Sequence, residues 1–257
     1  MRWVRFLQDG LPAWGHLEGD VVRIHSGSPF QACRHETLER LPFDSLDLLP
    51  PCTPTKIVCV GRNYAEHARE LGNAPPSEPL LFLKPPSSLL AAGGAILLPP
   101  LSRQVEHEGE LAVVMGKRCR ALREDESPLP YIFGFTCLND VTARDLQKKD
   151  GQWSRAKGFD TFCPIGPAIA LDLDPWRGLK VQTRVNGEIK QDGTTSDFIF
   201  PIEVVIRYIA DVMTLLPGDV IATGTPAGVG PLVAGDIVEV TVEGVGTLRN
   251  PVADEAK

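Results

Sequence analysis

Three carboxylates in the 257-residue chain have types and spacing that could do chemistry. Glu108 and Glu110 flank a glycine within residues 105–115, which read as one long alternating strand. Side chains alternate faces along a strand, so the two glutamates point to one side together. Like charges so close repel unless water or a cation relieves them. An isolated pair at this spacing is more commonly a solvated surface strand. Two features argue otherwise here: the residues that follow are strongly apolar, and a third carboxylate, Asp140, stands at an expected helix start directly after the apolar run 132–138. Three carboxylates without sulfur or imidazole partners favour a hard cation, Mg²⁺ or Mn²⁺, over zinc. Arg144 and Gln147 lie four and seven residues beyond Asp140 and would share its helical face. An arginine there suits a bidentate grip on a substrate carboxylate. The same spacing equally describes an Asp–Arg pair on an exposed helix.

Positioning such groups is the task of the surrounding elements. Strands are expected over 2–7 and 20–25, separated by a turn around Gly15 and Gly19, and a polar stretch follows. The Pro-rich segment 49–54 marks a boundary between a small N-terminal β-domain, residues 1–52, and a main domain, residues 53–257. The main domain opens with a buried strand over 56–60. Asn63 is expected to cap a helix over 65–71 that stops at Gly72. A helix should follow Asn139-Asp140, and another should span about 201–214. Asn186-Gly187, between 181–185 and 188–191, signals a two-residue hairpin. Pro217-Gly218-Asp219 and Ala234-Gly235-Asp236 each precede a further strand. The pattern predicts a mainly β chain with few helices (α+β), built as a barrel-like or sandwiched sheet.

Composition narrows the function classes. The net charge is −7 and Lys148-Lys149 is the longest basic cluster, so the basic face that nucleic-acid binding needs is missing. Apolar runs are too short to span a bilayer, and the first residues lack the apolar core of a secretory leader. The six cysteines, at 33, 52, 59, 119, 137 and 163, form no CxxC pair. They are expected to be reduced and mostly buried in a cytoplasmic protein. Cys163 alone stays open as a thiol near the site.

Further motifs in order along the chain carry a resemblance: Gly61-Arg62-Asn63-Tyr64-Ala65-Glu66-His67, Phe82-Leu83-Lys84-Pro85, Glu108-Gly109-Glu110, Asn139-Asp140-Val141-Thr142-Ala143-Arg144-Asp145, Ala156-Lys157-Gly158-Phe159-Asp160, and the tail Pro217-Gly218-Asp219 through Thr225-Pro226. From Lys56 to Val252 the chain resembles the fumarylacetoacetate hydrolase family. The resemblance implies a mixed β-sandwich roll, a bound Mg²⁺ (or Mn²⁺) and a homodimer. Under it, Glu108, Glu110 and Asp140 match metal carboxylates. Lys157 matches an active-site lysine, and Arg144, Gln147 and Thr225 match substrate contacts. His67 matches a general base and Glu70 the glutamate paired with it. Their i, i+3 spacing lets them face the same way on a helix. Larger members place a further aspartate ligand seven residues before the histidine. Val60 stands there in this chain.

The chemistry implied is that of a small oxo-acid substrate whose enolate the cation stabilises. Lys157 would add positive charge to the oxyanion, and His67, oriented by Glu70, would activate water. The presence of His67 and Glu70 together favours C–C hydrolysis of an acylpyruvate or a fumarylacetoacetate-like acid. The same enolate could instead serve a 2-hydroxyhepta-2,4-diene-1,7-dioate isomerase, which the two-part layout resembles, or an oxaloacetate-type decarboxylase. A non-catalytic protein that binds a small acid through its metal is the rival from another class. It would raise its thermal stability with Mg²⁺ yet turn nothing over.

Overall fold

The computed structural model describes residues 1–31 and 34–255. Segments that are apolar on both sides of the backbone need cover on both faces, and the fold is arranged around them. A mixed sheet of twelve strands runs from His35–Pro42 through Val21–Ser26, Leu11–Glu18, Arg2–Gln8, Cys163–Ala170, Ile132–Asn139, Gly109–Met115, Val220–Ala222 and Ile57–Gly61 to Leu80–Lys84. Asp47–Leu48 and Leu89–Leu90 pair off this path. A five-stranded sheet of Glu188–Thr194, Lys180–Val185, Ile237–Val242, Gly246–Asp254 and Ile96–Leu98 packs against it. Three short strands, Thr142–Ala143, Val105–His107 and Gly230–Pro231, form a third sheet. The described residues form four α-helices: α1 (Ala65–Glu70), α2 (Arg144–Asp150), α3 (Ser154–Lys157) and α4 (Ile202–Val212). The molecule is mainly β with few helices, the sandwich-type architecture expected of the pattern.

Gly109–Met115 is the central example. Its Leu111, Val113 and Met115 face Val181, Val240 and Val242 of the five-stranded sheet and Ile206 of α4. Ala112 and Val114, pointing the other way, meet Ile57, Ile165 and Val220. The N-terminal strands bury a cluster of their own, Val4, Phe6, Leu17, Val22 and Ile24 with Ala168. They join the main sheet at Trp3↔Ile169.

Several local expectations are corrected. Gly15 lies inside strand Leu11–Glu18 rather than in a turn. A Cβ there would stand 2.2 Å from Val22 Cγ1, so the residue is small because of packing. The single strand expected over 105–115 is two strands, broken at Glu108. There the Glu108 amide donates to the Asn139 side chain and its carbonyl accepts from the Asp140 amide. The helix expected at Asp140 begins four residues later, at Arg144. Thr142 Oγ1 donates to the Asp140 carbonyl, and Thr142–Ala143 pair with Val105 and Glu106 as a strand. Asp140, Arg144 and Gln147 therefore share no helical face. Asn63 does not cap α1. Its side-chain Nδ2 donates to the carbonyls of Phe200 and Thr223, and its side-chain Oδ1 accepts from the Phe200 N–H.

Other expectations hold. Asn186 and Gly187 turn the hairpin with φ of 53° and 81°, the mirror-image turn that matches strand twist. Cys52, Cys59, Cys119, Cys137 and Cys163 are free and buried, and Cys33 lies outside the described residues. Burial pushes the Cys163 thiol up to about 12, which removes it as a nucleophile. No helix among the described residues is long and apolar enough to cross a membrane.

Candidate active site

The acidic residues owe their convergence to what the backbone does around them. Gly109, between the two glutamates, backs directly onto the five-stranded sheet: a Cβ would lie 2.0 Å from Thr183 Oγ1. The glutamates on either side can then turn inward where the strand breaks. Asp140 enters from the end of the neighbouring strand, its N–H donating to the Glu108 carbonyl beside the Glu108 N–H bond to the Asn139 side chain. Glu108, Glu110 and Asp140 each bring a carboxylate oxygen within 4.8 Å of the others, and all three are buried.

Buried charges need partners, and most of these have them. Lys157, at the end of α3, donates to Glu108 Oε2 at 2.8 Å and to Asp140 Oδ2 at 2.5 Å. Lys84 Nζ lies 2.7 Å from Asp140 Oδ1 and donates to the Val141 carbonyl. Arg144 spreads its guanidinium over three acceptors: Glu106 from Nε at 2.7 Å, Glu108 from Nη2 at 2.5 Å and Gln147 from Nη1 at 2.6 Å. Burial pushes the Glu108 carboxyl up, but Lys157 and Arg144 more than offset this and hold it well below the usual carboxylate range. Burial likewise opposes the charge on Lys157, and Asp140 and Glu108 reverse it, leaving the ammonium harder to deprotonate than usual.

Glu110 is different. Its Oε2 accepts the Gly224 N–H at 2.7 Å, and among the described residues it makes no ion pair. Burial, with Asp140 and Glu108 beside it, drives its carboxyl well above the usual range. Gly224 adopts φ +101°, and a Cβ there would stand 2.7 Å from Asn63 Cβ, so the donor that meets Glu110 comes from a tightly packed loop. An all-oxygen set of three buried carboxylates, one lacking a counter-charge, fits a hard divalent cation.

These groups line one cavity of about 260 Å³, which also takes in Arg144, Gln147, Lys157, His67 and Thr225. His67 is buried on α1, with Nδ1 3.2 Å from Glu70 Oε2. The other Glu70 oxygen accepts the Gly228 N–H at 3.0 Å. With Nδ1 committed to Glu70, Nε2 is the ring nitrogen left to act on a ligand. The Thr225 hydroxyl is already engaged, donating to the Gly109 carbonyl and accepting from Gln191 Nε2.

Sequence reasoning thus named residues that meet, but it paired Arg144 with the wrong carboxylate and missed several supports. Glu106 anchors Arg144 and could have been flagged by the same alternation that flagged Glu108. Lys84, part of the motif Phe82-Leu83-Lys84-Pro85 but given no role by it, is a lone charge at the end of the apolar strand Leu80–Lys84. Asn139 carried no signal, because its role depends on where the neighbouring strand breaks. A wall of aromatic rings was also missed: Phe82 lies 5.1 Å from Trp153, and Lys157 Nζ sits 5.1 Å from the Phe82 ring.

A family model described as fumarylacetoacetate (FAA) hydrolase C-terminal matches residues 56–253, and one described as Rv2993c-like, N-terminal matches residues 1–51. An uncharacterised protein of Methanocaldococcus jannaschii is 54% identical over 82% of this chain and 88% of its own length. The mitochondrial oxaloacetate tautomerase of Bos taurus is 46% identical over 75% of this chain and 89% of its own. The crystal structure of a 2-hydroxyhepta-2,4-diene-1,7-dioate isomerase from Mycobacterium marinum is 42% identical, covers 100% of both chains and superposes with a TM-score of 0.91. Maleylpyruvate hydrolase from Sphingobium sp. SYK-6, solved with manganese(II) and pyruvate, is 32% identical over 100% of both chains, with a TM-score of 0.81.

Proposed function

The chain belongs to the fumarylacetoacetate hydrolase family, whose members are enzymes, and from its site we propose that it is a divalent-cation-dependent enzyme that enolises a small 2-oxo acid. The observation that carries the reading is the convergence of Glu108, Glu110 and Asp140 within 4.8 Å, in a cavity shared with Lys157 and His67. Mg²⁺ or Mn²⁺ held by these carboxylates supplies Lewis-acid stabilisation for negative charge on the substrate's oxygens.

The chain's own residues do the rest. A guanidinium has five N–H groups and Arg144 uses three, so two remain for a substrate carboxylate, with the Gln147 amide beside them. The Lys157 ammonium uses two of its three N–H groups and can direct the third at the oxygen that becomes enolate. His67 Nε2 takes the proton from the carbon next to the keto group, while Glu70 fixes the tautomer and stabilises the imidazolium. Returning that proton to oxygen completes a tautomerisation, and returning it to another carbon completes a double-bond isomerisation.

Tautomerisation or isomerisation is the reading best supported, because the tautomerase and isomerase relatives are 46% and 42% identical to this chain over the aligned residues. Hydrolysis is the second reading. The His67–Glu70 pair could equally take a proton from water, and a hydrolase is among the structural relatives. Oxaloacetate-type decarboxylation draws on the same enolate. We also propose a cytoplasmic homodimer without nucleic-acid or membrane partners, with residues 1–52 as a small N-terminal β-domain and residues 53–257 as the catalytic domain.

Exchange of solvent deuterium into the carbon beside the keto group, followed by NMR with oxaloacetate, an acylpyruvate and a hydroxy-dienedioate, tests the reading. Metal-dependent exchange into at least one acid is expected, and the product identifies the reaction. Metal binding without exchange into any of them would instead favour a non-catalytic acid-binding protein.

A further inference from the structure

Building on the oxo-acid reading, we propose that Gln191 is a positioning residue for the site: it fixes the loop 224–228, through which the carboxylate of Glu110 and the His67–Glu70 pair are both held. Gln191 lies on Glu188–Thr194, an edge strand of the five-stranded sheet. The usual partition is reversed along this strand, since Ile189 is 47% exposed while Gln191 is completely buried. A buried amide is costly unless it is bonded, and this one is bonded at both ends. Its Oε1 accepts the Gly109 N–H at 2.9 Å and lies 3.2 Å from His107 Nδ1. Its Nε2 donates to the Thr225 hydroxyl and to the Pro226 carbonyl, each at 2.7 Å. The partners fix the direction of the amide, because a backbone N–H only donates and a carbonyl only accepts. Oε1 must therefore face the acidic strand and Nε2 the loop. The single Thr225 hydroxyl proton then goes to the Gly109 carbonyl, 2.8 Å away. His107 carries its proton on Nδ1 by the same logic.

The loop that Gln191 grips is pressed against its strand. A Cβ on Gly193 would stand 2.5 Å from Pro226 Cβ, and one on Gly228 would stand 1.9 Å from the Lys190 carbonyl oxygen. The two ends of the loop donate to the site: Gly224 N–H to Glu110 and Gly228 N–H to Glu70. Thr225 lines the cavity between them. A shift of the loop thus moves a metal-site carboxylate and the group that orients His67 together. Gln191 holds the middle of the loop and also Gly109, between the two glutamates, without lining the cavity itself. Side chains that hold metal ligands in this indirect way change metal affinity or activity by about 10–100-fold when they are lost.

The test uses the full-length protein and three variants, all assayed well below the lowest Tm among them. Gln191→Met keeps the shape and loses every polar contact. Gln191→Glu keeps the acceptor for Gly109 and, as the neutral acid, one donor for the loop. Asn250→Leu is the control, because the buried Asn250 amide likewise donates to two carbonyls, Ala91 and Gly94, away from the cavity. Calorimetry gives the Kd for Mg²⁺. Deuterium exchange into oxaloacetate, an acylpyruvate and a hydroxy-dienedioate gives kcat at saturating Mg²⁺. Gln191→Met is expected to bind Mg²⁺ about tenfold more weakly and to lose about tenfold in kcat. Gln191→Glu should fall between it and the wild type, and it carries the comparison alone if Gln191→Met does not fold. Asn250→Leu should lose Tm but keep both wild-type values. Wild-type Kd and kcat in the Gln191 variants overturn the proposal, as do equal losses in Asn250→Leu. A wild type that binds no Mg²⁺ and exchanges none of the acids removes the oxo-acid reading and the proposal with it, an outcome visible before any variant is compared.

Discussion

Gly109→Ala adds one methyl group at the position where the acidic motif backs onto the second sheet. The new Cβ would stand 2.0 Å from Thr183 Oγ1 and 3.2 Å from both Val240 methyls. Both neighbours are β-branched residues in strands, and Thr183 and Val240 are almost fully buried, so neither side chain can turn aside freely. Overpacking of this kind costs about 1–3 kcal/mol, and the upper half of the range applies because the sheets themselves must part. For a chain of this size a loss of about 2–3 kcal/mol lowers Tm by roughly 5–10 °C. Thr183→Ala supplies the control. Its hydroxyl makes no hydrogen bond among the described residues, so the single variant loses chiefly a buried methyl, about 1 kcal/mol. In the double variant the 2.0 Å clash is gone and only the milder contacts with Val240 remain, so a favourable coupling of about 1–2 kcal/mol is expected between the two changes. Urea denaturation gives the stabilities, and the rise in Tm with added Mg²⁺ reports the site. Gly109→Ala should diminish that rise and the double variant should recover part of it. Should Gly109→Ala prove as stable as wild type, or Thr183→Ala give no rescue, the account of why a glycine separates the two glutamates is wrong.

Three further outcomes follow from the site. In the wild type, saturating Mg²⁺ or Mn²⁺ should stabilise the fold by about 3 kcal/mol at a hundred times Kd, and Glu110→Gln should remove most of that gain; an undiminished metal effect in the variant would take Glu110 out of the ligand set. His67→Ala should cut kcat by about 10²–10⁴ while keeping the metal-induced rise in Tm, and equal turnover would exclude the histidine from proton transfer. Burial raises the Asp219 carboxyl, but Lys56 and the Leu216 and Thr55 donors more than offset it and leave its pKa lowered. A lowered folded-state pKa contributes stability that is complete above the ordinary aspartate value, about 4, and is lost as pH falls through the folded value. Asp219→Asn should therefore be less stable than wild type by a constant margin, about 1–3 kcal/mol, from pH 7 to 5, and acid titration of both proteins should show the margin shrinking below pH 4. A margin that persists unchanged through that acid range would contradict the assignment.

What could be read from the sequence was local or carried by motif. Asn186-Gly187 demands positive φ at both positions whatever surrounds it, so the hairpin was legible. The apolar stretch after Glu110 was legible as buried, though not as buried on both faces. Arg144 shows where such reading ends. Helical spacing tied it to Asp140, yet a single hydroxyl, Thr142 Oγ1 on the Asp140 carbonyl, accompanies a short strand where the helix was expected. The arginine then meets Glu106 and Glu108, almost forty residues earlier. Lys84 and Lys157 reach Asp140 from two further segments, and no periodicity connects them.

The charge arrangement that results has a physical logic that spacing does not reveal. Glu106, Glu108 and Asp140 are matched by Lys84, Arg144 and Lys157, each cation within salt-bridge distance of at least one of these acids. A buried ion pair that loses one partner costs about 3–5 kcal/mol, so this matching lets an acidic pocket exist inside a sandwich at all. Glu110 is the carboxylate outside the balance, held by one backbone N–H from the loop at Gly224. A divalent cation has most to gain at that residue, because it would replace the proton that burial favours there and supply the counter-charge that no side chain provides. Lys157 and Arg144 also keep Glu108 ionised, and an ionised carboxylate is the form that binds metal. Lys157 and Arg144 thus prepare the site as well as stabilise it, and the glycine loop that approaches Glu110 leaves that carboxylate for the metal.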